Sequence, residues 1–158
     1  MFREMAKKNK QLTLEETLQL LKEEPRGILS LQGDDGYPYG VPTNFWYSGS
    51  DGCIYFHGDK SGHKVDSIRR CDKASLCVIS KPIAVENSWA PDYKSVIVFG
   101  RIEVVEDVRA GLAAARDLSL QFTGDTAFIE EQIALYGHET LFFRLVPEHI
   151  TGKRINES

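Results

Sequence analysis

Six runs rich in β-branched and aromatic residues, never in regular alternation with helices, limit most strongly what this chain can fold into. They are Gly27–Leu31, Tyr37–Tyr47, Cys53–His57, Ala74–Ser80, Tyr93–Val105 and Leu141–Val146. The first two flank the turn residues Gly33-Asp34-Asp35-Gly36 and read as a hairpin, and Ser48–Gly52 supplies the next turn. A parallel sheet would need a crossover helix between successive strands, which this spacing does not provide. The pattern predicts a mainly β fold, an antiparallel barrel with added α-helices. Tyr93–Val105 is long for a strand and is expected to bend near Gly100.

Helical periodicity is confined to a few places. Leu12–Glu24 carries Leu14, Leu18 and Leu21 on one face, Thr13-Leu14-Glu15-Glu16 matches a capping box, and Pro25 stops the helix, giving a helix over about 13–24. His63–Arg70 has Val65 and Ile68 three apart. Residues of about 107–136 form a helical insertion: Gly111–Leu118 is a good helix former despite its glycine, and Asp125–Tyr136 ends at Gly137. At 158 residues the chain suits one domain, 1–158, with 42% apolar and 27% charged residues and no apolar run long enough to span a membrane. The basic N-terminus lacks an apolar h-region, which points to the cytoplasm. Cys53, Cys71 and Cys77 have no CxxC spacing and read as reduced thiols. A net charge of −4 offers nothing to nucleic acid, so any anion site must be a local basic cluster.

One such cluster exists. In Gly58-Asp59-Lys60-Ser61-Gly62-His63-Lys64, glycines allow close backbone approach, Lys60 and Lys64 add charge, and the following helix presents free N–H groups. Walker A and GxGxxG spacings are absent, so a monophosphate suits the turn better than a triphosphate or dinucleotide. By spacing alone the segment is more often a solvated connection. Pro42, inside the second strand, implies an edge, a bulge, or an N–H side turned toward a ligand. His57 and His63, six apart with no third ligand, do not make a metal site.

Four motifs occur in order: Pro38-Tyr39-Gly40-Val41-Pro42-Thr43-Asn44-Phe45, Ile54-Tyr55-Phe56-His57-Gly58, Gly62-His63-Lys64, and Ser95-Val96-Ile97-Val98-Phe99-Gly100-Arg101. Together they resemble the pyridoxamine 5'-phosphate oxidase-like FMN-binding split-barrel superfamily over about residues 10–153, most closely its nitroimidazole-resistance-like branch. The resemblance implies a six-stranded antiparallel split barrel that forms a homodimer with FMN sites at the subunit interface. His63 and Lys64 match the basic pair that grips the FMN phosphate. The oxidase proper usually has arginine first, so His63 is a departure that would make phosphate affinity pH-sensitive. Val41, Pro42, Thr43 and Asn44 match the strand along the isoalloxazine ring, and Phe56, His57, Gly58 and Gly62 match the segment beside the ribityl chain and phosphate. Ser95 matches a polar position reaching the flavin from a neighbouring strand. Trp89 either caps the flavin across the dimer or packs in the interface.

The function implied is a flavoprotein oxidoreductase passing electrons or hydride from reduced nicotinamide to a small acceptor, a nitroaromatic among the options. A non-catalytic FMN-binding or sensing module is the alternative, and a different phosphorylated or tetrapyrrole ligand a third. His57 is the one catalytic candidate, with a hydrogen-bonded structural role as its alternative. The oxidase's C-terminal substrate region is not recognisable: Arg144-Leu145-Val146-Pro147 lies within a strand, so vitamin B6 oxidation is not favoured. Ile150–Lys153 resembles the end of the family's last strand.

Overall fold

The computed structural model of the chain describes residues 1–156. Seven strands form one antiparallel sheet: β1 Arg26–Gln32, β2 Pro38–Asn44, β3 Trp46–Tyr47, β4 Ile54–Asp59, β5 Lys73–Ile79, β6 Tyr93–Val104 and β7 Thr140–Ile155. Their order is β2-β1-β5-β6-β7-β4-β3. The two edge strands, β2 and β3, are consecutive in the chain and separated by Phe45 alone. A flat seven-stranded sheet would hold its edges far apart, since neighbouring strands lie about 4.8 Å from each other. One residue spans the edges only because the sheet curls into a half-barrel, joined covalently at Phe45 and unpaired along the split.

The expected single strand Tyr37–Tyr47 is therefore two, and the six strands expected are seven. Tyr39–Asn44 pair with β1, whereas Trp46 and Tyr47 pair with Tyr55 and Ile54 of β4. Phe45 switches between them, fully buried, its N–H donating to the Pro25 carbonyl at 3.0 Å. The Gln121 side chain donates to the Phe45 carbonyl at 2.8 Å.

β7 is longer than the expected Leu141–Val146. Gly100 faces Pro147 and Phe99 faces His149, leaving Glu148 as the extra residue of a bulge. The bulge accommodates Pro147, which has no ladder N–H to give, and frees Glu148 to accept from Arg101 Nε at 3.0 Å. A Cβ on Gly100 would overlap the Val146 carbonyl. Gly100, where a bend was expected, is the position at which the register between β6 and β7 shifts.

Inside the half-barrel, Leu29, Ile54, Phe56, Leu76, Val78, Val96, Val98, Ile102, Phe143 and Leu145 are almost fully buried. Helix α1, Leu14–Glu23, closes one end with Leu20 and Leu21 and carries the expected capping box: Glu16 N–H donates to Thr13 Oγ1 at 3.1 Å and Thr13 N–H to Glu16 Oε2 at 3.0 Å. Helix α2, His63–Arg70, follows β4. The insertion forms α3, Val108–Leu120, and α4, Thr126–Tyr136. α3 packs on the outer face of the sheet through Ala114 and Ala115 against Trp46, Tyr55 and Phe142. Cys53, Cys71 and Cys77 are free thiols, and among the described residues no helix is long and apolar enough to cross a membrane.

Candidate functional site

The split in the barrel is a cleft of about 490 Å³, walled by β2 from Tyr39 to Asn44 and, opposite, by the end of β4, the turn and the start of α2. That volume lies within the range of small-ligand sites. Pro38 and Pro42 share one phase of the pleat, opposite Gln32 and Ile28. Having no N–H for β1, they fit where the strand presents its outer edge, and Tyr39, Val41 and Thr43 carry the pairing. The strand beside the cleft thus keeps an open edge.

The opposite wall is built by local conformation. Gly62 has φ +120°, a region that favours glycine, and it caps α2 without a side-chain hydrogen bond. The first intrahelical bond runs from Asp66 N–H to the Gly62 carbonyl at 3.0 Å. The N–H groups of His63, Lys64 and Val65, three residues that line the cleft, are therefore unpaired within the helix. Such a helix start attracts anions.

Lys64 lies across Gly58: a Cβ there would stand 2.9 Å from Lys64 Nζ and 3.0 Å from its Cε. The ammonium makes one long hydrogen bond, 3.4 Å, to the His57 carbonyl, and no ion pair joins it among the described residues. Burial lowers its pKa, with Asp59 opposing the shift. A partly desolvated cation without an ion-pair partner, beside free helix donors, is suited to an anion. The His63 ring turns to the back wall, stacked on Tyr39 with centroids 3.8 Å apart, its Nε2 3.8 Å from Asp34 Oδ2. Asp34 is in turn held by Arg70 at 2.7 Å, which lowers the carboxyl pKa. His63 is thereby oriented, and Tyr39, which the motifs contain but do not mark as a site residue, does the orienting. An aromatic residue in phase with Val41 and Thr43 was the available signal.

Of the expected residues, Val41, Pro42, Thr43, Asn44, His57, Gly58, Gly62, His63 and Lys64 meet in this cleft, joined by Thr140. Phe56 neighbours it in sequence only: its side chain is fully buried in the core, a consequence of strand alternation. His57 projects from the opposite face. Its ring, though open to solvent, is hemmed in by surrounding structure and by Lys64, which lower its pKa below the usual 6.5. Ser95 lies on β6 between Ile79 and Lys153, away from the cleft of the same chain. Trp89 is 93% exposed in the loop after β5. Among the described residues no cluster of His, Cys, Asp and Glu could hold a metal.

A curled antiparallel sheet, split between its edge strands and carrying a basic, glycine-hinged turn in the split, defines a split-barrel ligand-binding domain. The family model for pyridoxamine 5'-phosphate oxidase matches residues 13–154, and the chain belongs to that family. Among solved structures, conserved hypothetical protein Rv2991 from Mycobacterium tuberculosis superposes with a TM-score of 0.77 at 18% identity, over 96% of this chain and 90% of that one. A candidate 5-nitroimidazole antibiotic resistance protein from Bacteroides thetaiotaomicron does so with 0.74 at 18%, over 93% and 90%. The FAD and heme binding protein from Mycobacterium smegmatis gives 0.72 at 24%, over 94% and 74%. No curated protein matches. The superfamily that the four motifs resemble is thus the one the family model assigns.

Proposed function

We propose that this protein binds FMN in the split and is an oxidoreductase, accepting hydride from a reduced nicotinamide and passing electrons to a small acceptor such as a nitroaromatic. The observation that carries the reading is Lys64: a partly desolvated ammonium without a carboxylate partner, laid over Gly58 beside three free helix N–H groups. One basic turn suits one phosphate. The FAD and heme binding protein of similar fold adds support for a flavin. The flavin supplies the redox chemistry when bound. The chain's own part is to grip phosphate with Lys64 and the start of α2, to lay the open edge of β2 along the ring, and to leave the outer face accessible.

The outer face of the sheet at β1, β5 and β6 supports a homodimer. Across β1, β5 and β6, Ile28, Ile79, Ile97 and Phe99 point outward with 39–57% of their surface exposed, and among the described residues no helix covers them, the Phe2 ring stacking on Phe99. A contiguous apolar face of this kind marks an association surface. Pro42 stands opposite Ile28 at its margin, so the cleft opens beside it. A second copy docked there brings Ser95 and Trp89 to the cleft of the first.

Stopped-flow mixing of the flavin-loaded protein with NADH or NADPH tests catalysis. Flavin bleaching, followed by reoxidation with a nitroaromatic, is expected; a bound flavin that stays oxidised would instead assign a binding or sensing module.

A further inference from the structure

We propose that the hollow between the α3–α4 hairpin and the outer face of β4 is a binding site for a neutral, flat aromatic small molecule bearing a polar substituent. Its role as the electron-acceptor site rests on the function proposed above; its existence as a ligand site does not.

The hairpin leaves two adjoining hollows of about 250 and 260 Å³, which share His57, Leu118, Ser119, Ile129 and Gln132. On α4, Ile129, Gln132, Ile133 and Tyr136 follow the i, i+3, i+4, i+7 spacing of a face that ordinarily packs against protein. Here that face lines open space. The hairpin is braced around it. Arg116 grips Glu130 through two bonds of 2.5 and 3.0 Å, Asp125 caps α4 by accepting from Phe128 N–H at 3.0 Å, and Gln121 ties the end of α3 to Phe45. The gap is therefore a built feature of the fold.

Its lining selects the ligand. No Asp, Glu, Lys or Arg borders either hollow, although 27% of the chain is charged. A charged ligand would lose hydration there without a countercharge. The walls are aliphatic and aromatic, with Leu118, Ile129 and Phe142 buried. The amide of Gln132 and the ring of His57 border both hollows, and neither has a hydrogen-bond partner among the described residues. The Ser119 hydroxyl also borders both and is unpaired among the described residues, and a mainly apolar slot with these few polar groups fits an aromatic ring with one polar substituent. Position adds the link to chemistry: Asn44, His57 and Thr140 border both this space and the phosphate cleft. Occupants of the two spaces would be neighbours.

Calorimetric titration of the purified protein with 1-naphthol, alongside a separate titration with FMN, tests the proposal. Wild type is expected to bind 1-naphthol. Ser119→Trp, which fills the hollow, should weaken that binding by about ten-fold or more, a loss of ~1.4 kcal/mol or greater, with FMN affinity unchanged. Gln132→Leu should weaken it by a smaller factor and decides the matter if Ser119→Trp does not fold. Absence of 1-naphthol binding, or equal binding in folded variants, would overturn the site. Retained 1-naphthol binding in a protein that does not bind FMN would leave this site standing and remove the flavin reading.

Discussion

A half-buried lysine without a carboxylate is uncommon because desolvation disfavours the ammonium, and Lys64 is such a residue. Its stem occupies the space where residue 58 would carry a side chain. Gly58→Ala should displace the ammonium and weaken FMN binding by about ten-fold while changing stability by about 0.5 kcal/mol or less, because the displaced atoms are the flexible end of a side chain. Calorimetry with FMN and thermal melts check both halves. His57 gives the pH prediction. Its pKa is lowered by the structure that hems in its ring and by Lys64, so between that lowered value and the ordinary 6.5 the unfolded chain binds more protons than the folded one. The stabilisation is present above about pH 6.5 and is lost as pH falls. His57→Gln should melt with a shallower decline between about pH 7 and 5 than wild type; an identical decline would contradict this. Lys64, Gly62 and His63 were legible in the sequence because seven consecutive residues contain the whole device. The hollow beside His57 was not, because it depends on residues as distant in the chain as Ala115 and Phe142.

At the scale of elements, chemistry that acts locally was readable and register was not. The α1 capping box and the extent of α2 follow from side chains within one turn of each other. The split of Tyr37–Tyr47 at Phe45 depends on which strands stand beside each half, β1 for one and β4 for the other. The full length of β7 was hidden by Pro147, a strand breaker until a bulge accommodates it. Gly100 was the visible half of that bulge. Gly100→Ala forces a methyl against the Val146 carbonyl, which is backbone and cannot swing aside. The expected cost is ~2–3 kcal/mol in chemical denaturation; a loss below about 0.5 kcal/mol would mean that the two strands shift freely.

For the whole molecule, the arrangement of edges matters more than the number of strands. Because β2 and β3 are edges joined by one residue, the barrel stays open where its most basic turn lies, and the proposed ligand site is the split itself. The sequence motifs conveyed this only through family resemblance, since no spacing rule shows which strands end up as edges. The apolar outer face predicts a dimer of twice 17.8 kDa by light scattering. Ile97→Glu, placing a charge on that face, should give the monomer mass and weaken FMN binding as well. A wild-type monomer would remove the dimer. The central claim, that the split holds a flavin by its phosphate through Lys64, is tested most directly by titrating FMN and riboflavin into wild type and Lys64→Ala. A charge-assisted hydrogen bond contributes ~1.5–3 kcal/mol. Wild type should therefore prefer FMN over riboflavin by at least about ten-fold, with most of that preference lost in the variant. Failure of wild type to bind FMN, or an undiminished preference in Lys64→Ala, would contradict the account.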